Sequence, residues 1–574
     1  MLVPFTVGPE EAHPRNYVCQ WWDDREPWTA ETMFRWPGQP KDLVRDAPRK
    51  KVCVIGGGIA GLVAAYELVQ ANQDVALFEA SPRFGGRILT ERFGDTHAEF
   101  GAMRIPEVHA AVLHYINEFP ELGPPRRFIE RNLQGYLCLR GDPLRQQDYK
   151  QLRTRYRARD FLWKALPGDT LEKMFLAFLD MHDIDIWQVF QNELSGEVVQ
   201  LLDELNVWQF MCGDSVNRLA DGTDPGLPHL TQDEWEYIGR GSGIIWDEKG
   251  SALESIIDAI SFETPNKVYL PDGMDTLTDA FVHRLRGVVR RHSPIRRVEV
   301  GLGGVSVWYE RLDGTRQRCE FDYVVCASPA DATSRIEWEP KLPSTKFEAL
   351  TNLSYQSSAK ALAYCRRRFW EADDQIYGGS TFTDLSIQQS WYPSDNSQPM
   401  PDTSRPLRTA PLLSVTSPDL FSRTVAPSAW GPEVPSRSEE SGVFTAAYLW
   451  GSNAGRFASM SDGDREQLVL TSLKKIHGGG VLRDIEDLRF WCWDAEAVPG
   501  GGAFAFFGTG EHRRYQAALA APLRPERPPE GPNPTPRVFF AGEHLAICHA
   551  WIQSAVQTAL AASIDVLEEA RRAG

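Results

Sequence analysis

Residues 51 to 79 read Lys51-Val52-Cys53-Val54-Ile55-Gly56-Gly57-Gly58-Ile59-Ala60-Gly61-Leu62-Val63-Ala64-Ala65-Tyr66-Glu67-Leu68-Val69-Gln70-Ala71-Asn72-Gln73-Asp74-Val75-Ala76-Leu77-Phe78-Glu79. Lys51 to Ile55 is a short β-branched run. Leu62, Ala65 and Leu68 then repeat at helical spacing, and Val75 to Phe78 is a second apolar run. The order is strand, glycine turn, helix, strand within about 30 residues. Gly56-x-Gly58-x-x-Gly61 at the turn lets the backbone bend tightly and approach a pyrophosphate, whose charge meets the helix N-terminus. Glu79 ends the second strand 23 residues after Gly56, where a carboxylate accepts hydrogen bonds from a ribose diol and repels a 2′-phosphate. The stretch predicts a dinucleotide site in an α/β framework, and by itself leaves NAD and FAD unseparated.

Working outward, the chain has 574 residues, enough for roughly three or four domains. With 42% apolar and 24% charged residues, 46 glycines and 39 prolines, disordered, collagen-like and low-complexity classes are excluded. The 61 basic residues stand against 78 acidic ones, a net charge of −17, which argues against nucleic acid or an anionic membrane as a partner. Nine cysteines show no Cys-x-x-Cys pair and no Cys/His cluster at zinc spacing, so no metal site is expected. Met1 to Glu11 lacks the basic and apolar start of a secretory signal. The most apolar stretch, Cys53 to Tyr66, is too short to span a bilayer. The expected compartment is a reducing cytoplasm.

Trp21, Trp22, Trp28 and Trp36 lie among prolines and acids in the first 46 residues, which predicts an irregular arm packed through its indoles. Glu107 to about Ile260 is mostly helical in pattern, whereas Ile295 to Tyr309 and Phe321 to Ala327 alternate like strands, so a helical insertion in an α/β framework is expected. Pro393 to Gly442, with nine prolines, and Pro522 to Pro536, with seven, read as surface loops. Trp551 to Ala573 predicts a closing helix.

The residues after Glu79 separate the two cofactors. Ala80-Ser81-Pro82-Arg83-Phe84-Gly85-Gly86-Arg87 resembles the second glycine motif of the flavin monoamine oxidase superfamily, in which Gly-Gly-Arg lies along the FAD. Phe539-Phe540-Ala541-Gly542-Glu543 is similar to its C-terminal FAD motif. Leu270 to Leu277 and Asp322 to Ala327 look like its internal landmarks, so the resemblance runs from about Lys51 to the C-terminus. It implies non-covalent FAD, since nothing resembles the Cys-containing attachment motif of the monoamine oxidases. The cofactor contacts implied are Gly56, Gly58, Gly61, Glu79, Gly86, Arg87, Gly101, Ala102, Met103, Arg104, Ile295, Gly542, Glu543, Trp551 and Ile552.

Within that superfamily the chain looks most like the L-amino-acid oxidases. Gly101 to Pro106 resembles their Gly-x-Met-Arg segment, which makes Arg104 the grip on a substrate carboxylate; a guanidinium suits this because it offers a planar, permanently charged fork. By the same resemblance Tyr448 donates to that carboxylate, Lys360 holds a water at flavin N5, and Trp491 flanks the flavin or substrate, with Trp493 taking its place if the register slips. His549-Ala550-Trp551 resembles a His-Gly-Trp segment. The Ala550 carbonyl then orients the substrate amine, and Trp551 walls the site. The family's histidine base in the helical region has no counterpart here: Ser251 to Phe262 carries no His, and Ile257 lies near the matching point. Trp391 and Tyr392 are expected as further walls, with the proline-rich stretch after them at the entrance.

The implied fold class is α/β: a discontinuous Rossmann-like FAD-binding domain, a mixed-sheet substrate domain and a helical insertion. The boundaries expected are 1–46 for the N-terminal extension and 47–103, 263–350 and 530–574 for the FAD domain. Residues 104–148 and 351–529 form the substrate domain, with the proline-rich insertion at 393–442, and 149–262 the helical domain. The implied reaction is oxidative deamination of an L-amino acid by O₂ to a 2-oxo acid, ammonia and hydrogen peroxide. Rival readings are an amino-acid 2-monooxygenase of the same fold, an amine or polyamine oxidase, and a non-enzymatic FAD-binding interaction protein. A homodimer is compatible with all of them.

Overall fold

The computed structural model describes residues 34–185, 196–213, 219, 224–243, 250–262, 266–399, 430–494, 501–525 and 534–573. Lys51–Ile55 forms a strand whose four apolar residues are all buried, as expected for a strand covered on both faces. It pairs in parallel with Asp74–Phe78 on one side and Tyr323–Cys326 on the other. Val289–Arg290 and Val538–Phe540 complete a five-stranded parallel sheet.

Alternation along the strands sorts the two faces. Val52, Val54, Leu77, Tyr323 and Val325 pack with the helices Ile59–Gln70, Asp275–Arg284 and Ile552–Ala573. Cys53, Ile55, Phe78, Val324 and Cys326 face a second core. That core is covered by a four-stranded sheet ordered Arg316–Phe321, Gly304–Glu310, Ile295–Gly301, Glu337–Glu339. The predicted strand over Phe321 to Ala327 is thus two strands in different layers. Asp322 sits at the break and accepts a hydrogen bond from the Lys51 N–H at 2.7 Å.

A seven-stranded mixed sheet makes the second unit, ordered Ile485–Cys492, Ser358–Cys365, Gly442–Trp450, Gln389–Tyr392, Gly379–Thr383, Tyr136–Cys138, Leu144–Arg145. Between the units, Ile105–Pro106, Lys267–Tyr269 and Arg126–Phe128 form a small antiparallel sheet. The region from Glu107 therefore contains strands as well as the helix Ala110–Glu118. At two or three residues each, they are too short for alternation to appear in the sequence.

Helices Pro167–Met181, Glu197–Glu204, Val207–Cys212, Gln232–Ser242 and Ala252–Phe262 form a further core with Ile547, Cys548 and Trp551. Asn206 and Thr231 begin two of these helices with capping boxes. The helical layer thereby packs on the segment that carries Ala550. In the N-terminal extension, Trp36 stacks on His114 with ring centroids 3.8 Å apart; Trp21, Trp22 and Trp28 lie outside the described residues. Of the proline-rich stretch, Ser397–Pro399 and Trp430–Pro432 pair as two strands, and residues 400–429 lie outside the described residues. Among the described residues no helix is long and apolar enough to cross a membrane.

Candidate active site

The glycine turn is built by close backbone contact. A Cβ on Gly61 would lie 1.9 Å from the Gly56 carbonyl oxygen, so no other residue fits there. Gly58 begins the helix Ile59–Gln70 with no capping side chain and no acid in the first turn. That positive end is left for an anion, and a dinucleotide pyrophosphate fits it. Glu79 accepts from the Gly57 N–H at 2.6 Å and the Ser81 N–H at 2.7 Å, which fixes its carboxylate beside the turn. The second glycine motif lies against the first: the Gly85 N–H donates to the Gly57 carbonyl at 2.8 Å, and Gly86 packs on Gly58.

Two more segments close this frame. Gly101 crosses Arg87 so tightly that a Cβ would lie 2.2 Å from the Arg87 carbonyl oxygen, and the Ala102 N–H donates to that oxygen at 3.2 Å. Arg87 Nη1 donates to Glu543 Oε1 at 2.6 Å. Oε1 of Glu543 also accepts from the Ala505 N–H, and Oε2 from the Ala550 N–H, each at 3.1 Å. Burial disfavours ionisation of Glu543, yet Arg87 and the nearby histidines hold its carboxyl below the usual value. The Gly542 N–H is held by Thr558 Oγ1 at 2.9 Å. Ile552, at the start of the closing helix, is buried. Ile295 is buried in the second core, two residues after Ser293, whose N–H donates to the Glu79 carbonyl at 2.8 Å.

Strand register brings four of the expected site residues or their neighbours onto one face of the mixed sheet. Lys360 pairs with Trp491 on one neighbouring strand and with Tyr448 on the other, and Tyr448 pairs with Gln389. Directly paired residues point to the same side, so Trp491, Lys360, Tyr448 and Gln389 form one row. This places Trp491, not Trp493, beside Lys360; Trp493 turns its Nε1 to the Phe100 carbonyl at 3.2 Å. The Trp491 Nε1 is buried with no hydrogen-bond partner among the described residues, which suits a bound group beside it.

Lys360 Nζ donates to the carbonyls of Glu99 at 3.1 Å and Gly101 at 2.8 Å, lies 3.9 Å from Met103 Sδ, and sits 4.6 Å from the Tyr448 ring centroid. Burial pushes its ammonium down to about 7, opposed by Glu99 and assisted by Arg104. Burial likewise raises the Tyr448 hydroxyl, which the Arg104 charge lowers in part.

Arg104 precedes the Ile105–Pro106 strand. Its Nε lies 3.2 Å from Glu130 Oε1, and its guanidinium carbon lies 5.0 Å from the Trp391 ring centroid. Glu130 is shared with Lys267 Nζ, whose ammonium burial pushes down to about 8. Trp391 is fixed in turn by its Nε1 bond to Gln389 Oε1 at 2.9 Å. Tyr392, expected as a wall, projects to the opposite face, where its hydroxyl meets Thr381 Oγ1 at 2.9 Å. Its side chain thus points away from that of Trp391, although Tyr392 still borders the cavity described below.

Ala550 has φ +68°, a left-handed conformation rare for a residue with a Cβ. Its neighbours are held from the helical layer: His549 Nδ1 lies 2.8 Å from Glu254 Oε1, and Trp551 Nε1 donates to Asp258 Oδ1 at 3.2 Å. His512 Nε2 lies 3.2 Å from Glu254 Oε2. The two imidazoles overcome burial and hold the Glu254 carboxyl down at about 2. Glu130, Lys267, Gln389, Glu254 and Asp258 carry no motif and were not found from sequence.

A cavity of about 1120 Å³ opens on the same sheet face, running past Met103 and Trp391. Pro393, Ser394, Asp395, Arg437, Glu440 and Ser441, from the described ends of the proline-rich stretch, line it.

The parallel sheet, its glycine turn and the bond between Arg87 and Glu543 form a Rossmann-like dinucleotide-binding frame beside a second, mixed sheet. The chain belongs to the family of flavin-containing amine oxidoreductases, whose family model matches residues 59–567. Its cofactor is FAD. The flavin-dependent L-tryptophan oxidase RebO of Lentzea aerocolonigenes is 25% identical over 89% of this chain and 97% of its own length. A putative L-amino-acid oxidase, YobN, of Bacillus subtilis (strain 168) is 26% identical over 90% of this chain and 94% of its own. An L-amino-acid oxidase of Sistrurus catenatus edwardsii is 26% identical, over 90% of this chain and 87% of its own length. In fold, the chain is similar to putrescine oxidase (TM-score 0.62, 19% identity, 91% of this chain and 99% of that one). Cyclohexylamine oxidase from Brevibacterium oxydans shares the fold as well (TM-score 0.61, 17% identity, 92% and 100%).

Proposed function

We propose that this protein oxidatively deaminates an L-amino acid. The observation that carries the reading is the placement of Arg104: a guanidinium against the Trp391 ring, its charge acting on both Tyr448 and Lys360. Its Nε meets Glu130, and a simple amine adds no second carboxylate for it to hold. The fork and the tyrosine hydroxyl fix the substrate carboxylate, and the Ala550 carbonyl, on a peptide unit tethered to Glu543, orients the nitrogen. Trp551 and Trp391 supply apolar walls. FAD, which the two glycine motifs and the Arg87–Glu543 clamp would hold, would supply the hydride-accepting and O₂-reducing chemistry. The nitrogen lone pair forms the C=N bond, and water cleaves the imine to a 2-oxo acid and ammonia. Lys360 is placed to hold a water for one of the later steps.

Incubation with a mixture of L-amino acids, coupled to peroxide detection, tests the reading. A 2-oxo acid, ammonia and peroxide in equal amounts are expected. An amide with loss of CO₂ would assign a 2-monooxygenase, and turnover of amines alone would remove Arg104 from the substrate site.

A further inference from the structure

That reading leaves one ionisable group of the site without a task. Asp258 lies on the helix Ala252–Phe262 beside Ile256 and Ile257, which are buried in the helical core, whereas Asp258 is only partly buried. Its Oδ1 accepts from Trp551 Nε1 at 3.2 Å, so the side chain is tied to the residue that follows Ala550. Glu254, one helical turn earlier, is already engaged by His549 and His512. The cations that act on Asp258 from other elements, Arg104 and Lys267, both meet Glu130. An indole N–H satisfies one oxygen of Asp258 without neutralising its charge. A zwitterionic amino acid whose carboxylate lies on Arg104 carries an ammonium that needs an anion on the other side.

We propose that Asp258 receives the α-ammonium of the substrate and takes one proton from it before the Cα–H bond breaks. The step balances simply: the N–H bond breaks, the proton goes to a carboxylate oxygen of Asp258, and the electron pair stays on nitrogen. That pair then becomes the second bond of C=N as hydrogen leaves Cα with its own pair. The proton returns to water when the imine is released. Burial and the charge of Glu254 raise the Asp258 carboxyl to about 6, while the Trp551 N–H, Arg104 and Lys267 pull it down. A group so placed is largely ionised near neutrality yet basic enough to accept.

This assignment rests on the amino-acid oxidase reading. If no L-amino acid reduces the flavin of the wild type, that reading falls; the following results bear on Asp258 alone. Asp258→Asn keeps an acceptor for Trp551 and removes the base. Reductive half-reactions of FAD-loaded wild type and variant are measured across pH with Phe, Leu, Lys and Arg. The wild type should lose rate on the acid side with every substrate. The variant should be slower near neutrality by about 10²-fold or more. It should recover as pH rises toward the titration of the substrate amine itself, with Asp258→Glu in between. An unchanged acid limb in Asp258→Asn overturns the assignment, and so does a loss confined to Lys and Arg, which would make Asp258 a reader of the side chain. If Asp258→Asn does not retain FAD, the wild-type profile decides: an acid limb shared by all four substrates supports the proposal, and its absence overturns it.

Discussion

Glu543 holds Ala550: its Oε2 accepts the Ala550 N–H at 3.1 Å, and the alanine it holds has a backbone φ of +68°. The other oxygen of the same carboxylate receives Arg87. One side chain thus couples the Arg87 segment of the glycine frame to the Ala550 peptide unit, which under the proposed function orients the substrate nitrogen. Glu543→Gln turns one of those acceptors into a donor facing a donor. A buried donor left without its acceptor costs about 1–3 kcal/mol. FAD content after gel filtration should fall, and kcat of the remaining holoenzyme should drop with it; equal occupancy and rate would show that the clamp is dispensable.

Arg104→Lys keeps the charge and loses the fork. Truncating one partner of a desolvated charge pair costs about 2–5 kcal/mol, or ~30- to ~5000-fold, and the loss should appear in kcat/KM with the flavin spectrum unchanged. Wild-type kinetics in this variant would remove the case for an α-amino acid.

Lys360→Met should slow flavin reoxidation or imine hydrolysis more than substrate binding, which stopped-flow traces of the two half-reactions separate. It also predicts a stability change with a definite sign. Folding lowers this ammonium from 10.5 to about 7, so between those values the unfolded chain binds more protons and stability rises with pH. Below about pH 7 the buried charge is fully destabilising. The thermal gain of Lys360→Met over wild type should therefore be larger near pH 6 than near pH 9. A pH-independent difference would place the ammonium in water.

Gly101→Ala puts a methyl group 2.2 Å from the Arg87 carbonyl oxygen, which one of the two cofactor segments must move to avoid. Loss of flavin with secondary structure retained is expected from absorbance and circular dichroism.

Arg368 is buried and binds Asp395 bidentately at 2.8 and 2.7 Å and Glu371 at 3.0 Å, while Asn396 links Glu371 to Val434 across the ends of the proline-rich stretch. Arg368→Met leaves Asp395 with Arg437 alone and Glu371 with Asn396 but no cation, and should cost about 3–5 kcal/mol. Adding Asp395→Asn and Glu371→Gln should restore much of the lost melting temperature. A triple variant no more stable than the single one would show that packing, not charge, holds this corner.

The glycine-turn frame and the cofactor class were legible because their signals are local. Gly56 to Gly61, Gly86 and Arg87 are consecutive motifs whose spacing follows from one turn and one crossing. Lys360, Tyr448 and Trp491 were identified singly, but only long-range register reveals that they form a row. The rest had no sequence signal. Lys267 sits on a three-residue strand paired with Ile105–Pro106, and Glu130 follows another short strand, Arg126–Phe128. Asp258 is one of several polar residues on a helix of apolar periodicity and carries no motif of its own. Trp391 and Tyr392 look alike in sequence, and both border the cavity, but only the sheet shows that the Tyr392 hydroxyl turns to the far face.

The bond between Arg87 and Glu543 spans 456 positions, and the parallel sheet that carries it needs Val538–Phe540 as its last strand. During synthesis the N-terminal glycine turn leaves the ribosome long before its counterpart exists. The nascent chain must keep Lys51–Ile55 and its sheet neighbours covered until residues beyond 537 emerge, and Arg87 meets Glu543 only then. Truncation by even the last forty or so residues would yield no smaller flavoprotein, only a chain with an open apolar sheet edge for chaperones to hold.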